Sequence, residues 1–216
     1  MNKSIGCSWS GGKDSCFALM RALQQGYMPA VLVNMMNENG KISRSHGLPP
    51  SLLQQQAAAM GLPLITTATT WNDYEKNFIA ALNQVSADYH ATAMVFGDID
   101  LQAHRDWEEM VCAKAGLQAL LPLWQQDRRV LVAQMLEAGI ETMIVSCNTT
   151  LGEVFLGKLL SAELIEKLEE KGVDVCGESG EFHTVVVNCP LFKQPLLLPS
   201  FTTVLHNNYW FLQWNN

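Results

Sequence analysis

The apolar and polar positions of the chain fall into blocks of two kinds that alternate from the start. Short apolar runs, Ser4 to Ser8, Ala30 to Val33, Leu64 to Thr67 and Ala93 to Phe96, have the length and composition of buried strands. Between them, apolar positions recur at helical spacing. Cys16, Leu19, Met20 and Leu23 fall at i, i+3, i+4 and i+7, with Gly26 as the stop. Pro50 to Met60 forms a second such stretch closed by Gly61. Tyr74, Phe78, Ala81, Leu82 and Val85 mark a third, and Leu101 to Ala115 a fourth that stops at Gly116. This order predicts an α/β fold, a doubly wound parallel sheet with helices on its faces. Around Leu121 to Trp124 the rhythm changes. Val130 to Ala138 reads as a helix, Thr142 to Val145 as a strand, and Ser161 to Lys171 as a capped helix ending at Gly172. Val185 to Val187 follows as a strand, then Phe201 to His206 and Tyr209 to Gln213 around Asn207-Asn208, a pair suited to the positive-φ turn of a hairpin. A boundary is expected near Gln125, with residues 1–124 as the α/β unit and 125–216 as a smaller α+β portion.

Composition narrows the class. With 216 residues, 48% hydrophobic and 16% charged, the chain has enough apolar material for a packed core, which excludes global disorder. No apolar run approaches the roughly 18 residues of a membrane span. An early Lys3 followed by Ser and Gly is unlike a secretory signal. The net charge of −7 gives no broad footprint for nucleic acid, so an anionic ligand needs a focused site. The six cysteines, Cys7, Cys16, Cys112, Cys147, Cys176 and Cys189, show no two-residue pairing, and most lie in apolar runs. A reduced, cytoplasmic protein is expected. The apolar tail from Phe201 to Trp214 is a candidate surface for homo-oligomer contact.

The sharpest chemical signal is Ser10-Gly11-Gly12-Lys13-Asp14-Ser15, between the first strand and the first helix. A Gly-rich turn there aims backbone N–H groups at an anion. Ser10 and Ser15 offer hydroxyl donors and Lys13 a positive charge. Asp14 would repel bare phosphate, which points to a bridging Mg²⁺. The plainer alternative is a glycine turn with Asp14 capping the helix. A Walker A loop is ruled out, because its first glycine would fall at Cys7 and Asp14 follows the lysine. The G-x-G-x-x-G dinucleotide fingerprint is absent as well.

This string resembles the PP-loop of the ATP pyrophosphatases, which cut ATP between its α and β phosphates. The resemblance implies the adenine nucleotide α-hydrolase (HUP/PP-loop) fold, with Ser10 to Ser15 holding the departing pyrophosphate. Further strings are similar to the diphthine–ammonia ligase family: Gly61-Leu62-Pro63-Leu64, Gly97-Asp98, Glu109 with Cys112, Gly116-Leu117, Pro122-Leu123-Trp124, Cys176 to Thr184, and Cys189-Pro190-Leu191-Phe192. The likeness runs from about Ser4 to Phe192. It implies an ATP-dependent ligase that adenylates a carboxylate, the family's being on a modified histidine of elongation factor 2, and lets ammonia displace AMP to give an amide. The family's Glu-Gly-Gly-Glu is here Glu178-Ser179-Gly180-Glu181, and His183-Thr184 replaces the usual Glu-Thr. Asp98 stands where a small residue is common. The variant resembles the bacterial relatives, and the adenylating chemistry is better supported than the acceptor.

Three groups of residues are therefore candidates. Lys13, Asp14, Glu178 and Glu181 are expected to be catalytic, with Asp14 on Mg²⁺. Ser10 to Ser15 with Gly97 and Asp98 are expected at ATP. His46, Arg105, Glu178, Gly180 and Glu181 are expected at the acceptor. Two acids separated by Ser-Gly can converge on a cation, an amine or Mg²⁺, although a solvated acidic loop has the same composition. His46 sits in the loop after the second strand, where ligands of such sheets bind, or is a surface histidine. Arg105 could hold a phosphate or carboxylate, or could simply open a solvated helix. Asp98 either serves the site or caps that helix with Asp100, while Trp107 reads as packing. A tRNA-modifying PP-loop enzyme and a non-catalytic nucleotide sensor remain as alternatives. Because no cysteine pair has redox or metal spacing, ATP turnover should be unchanged by thiol reductant. A rate assay with and without dithiothreitol checks this, and loss of activity on reduction would show a functional disulfide.

Overall fold

The computed structural model describes residues 3–215. Two sheets divide the chain. Strands β1 (Ser4–Ser8), β2 (Met28–Met36), β3 (Leu64–Ala68), β4 (Ala93–Val95) and β5 (Gln118–Leu120) form a parallel sheet in the order β3-β2-β1-β4-β5. Helices α1 (Lys13–Gln24), α2 (Pro50–Met60), α3 (Tyr74–Tyr89) and α4 (Gln102–Lys114) connect them. The second sheet is antiparallel, in the order β7-β6-β9-β8, from β6 (Glu141–Asn148), β7 (Phe182–Asn188), β8 (Phe201–His206) and β9 (Tyr209–Trp214). Helices α5 (Arg128–Glu137) and α6 (Ala162–Glu170) flank it in sequence.

The parallel sheet is buried on both faces, and this is why its strands are apolar without interruption. Along β2, Val31, Val33 and Met35 join α3 and α4 in one core, whereas Leu32 and Met36 join α1 and α2 in the other. That second core also contains β6, β7, α5 and α6, so α1 lies in apolar material shared by both sheets. Helices on both faces of a parallel sheet make the domain doubly wound, as the strand–helix alternation predicts.

Local signals explain most element ends. The Ser161 hydroxyl accepts from Leu164 N at the start of α6. Asn207 and Asn208 have φ of 46° and 62°, the conformation a tight hairpin requires between β8 and β9. Leu205 and Val204 on that hairpin are exposed. Strand β5 has no counterpart in the hydrophobic pattern: three residues beginning with Gln118 make too short a run. Strands β6 and β7 are longer than their apolar cores because polar Asn148, His183 and Thr184 also enter the ladder or its ends. Among the described residues, no helix is long and apolar enough to cross a membrane. All six cysteines are buried and unpaired.

One polar side chain ties the two sheets together. Gln56 of α2 is fully buried; it accepts from Trp9 Nε1 (2.8 Å) and donates to Gly11 O and Val186 O (both 2.9 Å). Val186 N in turn donates to Gly11 O at 2.8 Å. Replacing Gln56 with Leu orphans the Trp9 donor and weakens two buried carbonyl contacts. Gln56→Leu should therefore lose about 2–3 kcal/mol of stability, seen as a lower urea midpoint at unchanged slope.

Candidate active site

The strand order places a crevice between β1 and β4, where the chain runs outward in opposite directions. Ligands of open α/β sheets bind at such a switch point. The loop after β1 carries Ser10 to Ser15 and the loop after β4 carries Gly97 and Asp98. The two approach closely: a Cβ on Gly97 would lie 2.8 Å from the backbone of Asp14 and Ser15. Only glycine lets the two loops meet there. A cavity of about 640 Å³ opens over this junction. Ser10, Lys13, Asp14, Ser15, His46, Gly97, Asp98, Glu178 and Gly180 line it, so most of the residues singled out in the sequence are brought to one place.

The far wall comes from the second sheet. Strand β7 and the turn before it press on the Gly11-Gly12 loop: Lys13 N donates to Thr184 Oγ1 (3.2 Å), and Lys13 Nζ donates to Cys176 O (2.5 Å) and to Asp14 Oδ2 (2.8 Å). Burial is the largest single influence on the Lys13 ammonium and opposes it, but Asp14 with the other groups around it together outweigh burial, and its pKa rises above the ordinary value. The His46 ring closes over Gly12, where any Cβ would overlap it, and its Nδ1–H donates to Thr184 O (2.7 Å). Burial lowers the pKa of His46 to about 4, and burial with His46 lowers that of His183, 4.7 Å away, to about 3. Both rings are neutral near pH 7, and the His46 tautomer is set by the Thr184 carbonyl.

The acidic turn is built by Asp174. Its carboxylate accepts from Cys176 N (3.1 Å) and Glu178 N (2.9 Å), which turns Glu178 toward the cavity. Arg128 of α5 holds Asp174 (2.6 Å) and, through two nitrogens, Asp100 in the loop after β4 (2.6 and 2.9 Å). Burial first, then Asp14, push the Glu178 carboxyl up to about 8. Such a group is poised to accept a proton near neutrality.

Sequence comparison can now be set beside this geometry. Residues 3–119 match the diphthamide synthase N-terminal domain and residues 127–215 the diphthamide synthase C-terminal domain. The chain belongs to the diphthamide synthase family. Relatives named diphthine–ammonia ligase include those of Danio rerio and Homo sapiens, each 30% identical over 92% of this chain, covering 88% and 84% of their own lengths. That of Schizosaccharomyces pombe is 29% identical over 92% of this chain but spans 36% of its own length there. A crystal structure of a predicted subunit of tRNA methyltransferase from Methanocaldococcus jannaschii superposes over 89% of this chain and all of its own, with a TM-score of 0.47 and 17% identity. Nothing about activity follows from a likeness at that level.

Two of the residues expected at the acceptor lie elsewhere in this family member. Glu181 Oε2 accepts from Ser179 N at 3.1 Å, which shapes the turn, and Glu181 is not among the cavity-lining residues. Arg105 is engaged by Glu109 (2.7 Å) and lies over the Trp124 ring, also off the cavity wall. Asp98 does not cap α4, whose first residue is preceded by Leu101; its Oδ1 meets His104 Nδ1 at 2.7 Å. Sequence reading passed over Trp107 as packing and missed Glu108, Arg128 and Asp174. Glu108 shares the helical stripe of Val111 and Cys112, and an acid on that stripe was the available signal. Nothing along the chain marks Arg128.

The Glu178 carboxyl, raised from 4.5 to about 8, keeps its proton in the folded protein where the unfolded chain releases it. The stability it contributes is complete below about pH 4.5 and is lost as pH rises toward 8. Glu178→Gln should thus gain melting temperature over the parent as pH rises from 5 to 8, levelling off above. Thermal melts of the two unliganded proteins across this range check it; a pH-independent difference would mean that Glu178 titrates normally.

Proposed function

We propose that the protein is an ATP-dependent amide ligase: it adenylates a carboxylate with release of pyrophosphate, and ammonia then displaces AMP. Family membership supports the reaction class, since its relatives are named diphthine–ammonia ligases. The observation that carries the reading is that the phosphate loop and the Cys176–Gly180 turn face one another across a single cavity.

In this reading the β and γ phosphates lie on Ser10 to Ser15, with the α phosphate toward Gly97 and Asp98. Lys13 is fixed between Asp14 and Cys176 O and faces the leaving pyrophosphate, so its charge is aimed where negative charge accumulates. Asp14 fits a Mg²⁺ role: its Oδ1 is buried with no hydrogen-bond partner. Mg²⁺ on a polyphosphate uses one or two protein carboxylates and takes its other ligands from phosphate and water. The ion would neutralise phosphate charge beside Asp14. In its ionised form, which grows in as pH rises toward 8, Glu178 accepts a proton from the nitrogen as it attacks the acyl adenylate. Neutral His46 offers its ring to the acceptor. The carboxylate belongs to an acceptor that fits the remaining cavity, diphthine being the one in the relatives' name. Six unpaired buried cysteines support a reducing cytoplasm as the working compartment.

Incubation with ATP, Mg²⁺, ammonium and a panel of carboxylates, diphthine-bearing elongation factor included, should yield AMP and pyrophosphate in equal amounts. Lys13→Ala should reduce that turnover by ~100-fold, the loss typical of one electrostatic contact to a leaving group. Release of ADP and phosphate instead would sink the assignment.

A further inference from the structure

Beyond the phosphate loop, the cavity has a wall whose residues carry no role in the reaction as described. It is aromatic: Tyr74 and Phe78 of α3, Phe96 just after β4, and Trp107 of α4. Tyr74 and Phe78 lie 5.7 and 5.1 Å from the Trp107 ring, and Phe78 lies 6.3 Å from Phe96. Glu108 belongs to the same wall. It is 5% exposed, and its Oε2 is buried without a hydrogen-bond partner among the described residues. Asp98 faces it, itself held by His104, and Glu109, Tyr74 and Cys112 are the other titratable groups that interact with it. Burial first, then Asp98, push the Glu108 carboxyl up to about 11.

An acceptor oxygen left buried and unpaired costs stability, and such groups in folded proteins call for a ligand or another explanation. The surroundings restrict what that ligand can be. Spare carboxyl oxygens and the faces of aromatic rings both attract positive charge and repel anions. A divalent metal held here without a polyphosphate would need more protein ligands than these two carboxyls supply. Among the described residues no group of three or more His, Cys, Asp or Glu is placed to hold one. A small cation that donates hydrogen bonds and tolerates aromatic neighbours fits both features.

We propose that Asp98 and Glu108, walled by Tyr74, Phe96 and Trp107, form the entry site of the nitrogen donor, captured there as ammonium and delivered as ammonia to the acyl adenylate. The proposal rests on the amide-ligase reading and adds to it the place where nitrogen enters. Asp98 follows Gly97, which packs on the Asp14–Ser15 backbone, so this wall lies directly beside the expected α phosphate. On entry, ammonium displaces the proton held on the Asp98–Glu108 pair to solvent. The vacated pair then takes one proton from ammonium and frees ammonia. Its lone pair forms the C–N bond while the bond from the acyl carbon to the adenylate oxygen breaks, and AMP leaves with that electron pair. The second proton, from the nitrogen, passes to Glu178, whose carboxyl first releases its own proton to solvent.

The test titrates the unliganded protein with ammonium chloride against sodium chloride at equal ionic strength, following tryptophan fluorescence, because Trp107 and Trp71 line the cavity. Saturable quenching by ammonium alone is expected, weakened about tenfold or more in Glu108→Gln and less in Glu108→Asp, which keeps a carboxyl. In turnover, Glu108→Gln should raise the KM for ammonium by about tenfold or more, while ATP–pyrophosphate exchange, which needs no nitrogen donor, stays within about twofold. A circular-dichroism melt confirms that each variant is folded. Identical responses to ammonium and sodium would overturn the proposal. So would a Glu108→Gln protein with a raised KM for ATP and an unchanged KM for ammonium, which would make this wall part of a nucleobase pocket. Absence of exchange with every carboxylate would remove the amide-ligase reading, whereas the fluorescence titration, made without ATP, still decides the ammonium site.

Discussion

The structure depends on a backbone junction between two sheets that share no strand. Val186 N donates to Gly11 O, and the Thr184 hydroxyl accepts from Lys13 N. A Gly-Gly turn has more freedom in the unfolded chain than any other dipeptide, and fixing it is correspondingly costly. Here the cost is met by a strand from the other half of the molecule, with Gln56 and the His46 ring closing the remaining sides. The loop's conformation is thus a tertiary property. Its six residues specify what can be bound, and β7 determines the shape in which it is offered.

Charge is the second organising fact. Asp14, Asp98, Glu108 and Glu178 all face a cavity in which Lys13 is the lining lysine. Four full negative charges there would repel a polyphosphate. The structure limits them by raising the proton affinity of Glu108 and Glu178 through burial and mutual proximity. It also keeps His46 and His183 neutral. Lys13 is therefore the fixed positive charge of the Gly11-Gly12 loop, which concentrates electrostatic leverage on one side chain.

Much of this was legible in the sequence because the decisive signals are local. Helix α2 has the bounds its apolar spacing and Gly61 imply, α6 begins at its Ser161 cap, and the paired asparagines turn the last hairpin. The Ser10 to Ser15 string lies between β1 and the first turn of α1, where its glycines imply. What stayed hidden is what depends on distant partners. Glu181 and Glu178 look alike in a four-residue motif, and only Asp174, held by Arg128 of an earlier helix, decides which of them faces the cavity. Arg105 looked free to bind a ligand until Glu109 and Trp124 took it. Gln56 reads as one of three successive glutamines on a helix, with nothing to mark the one that becomes fully buried.

Arg128 spans the gap between Asp100, beyond β4, and Asp174, at the root of the acidic turn. It acts as a strut of fixed length between the loop that carries Asp98 and the turn that carries Glu178. The two segments cannot separate without breaking a two-pronged ion pair on one side or a single one on the other. Their spacing is then set when the chain folds. The ordering that other sites complete during binding is here finished beforehand, and high salt, which loosens partly exposed ion pairs, is the condition under which that spacing would relax.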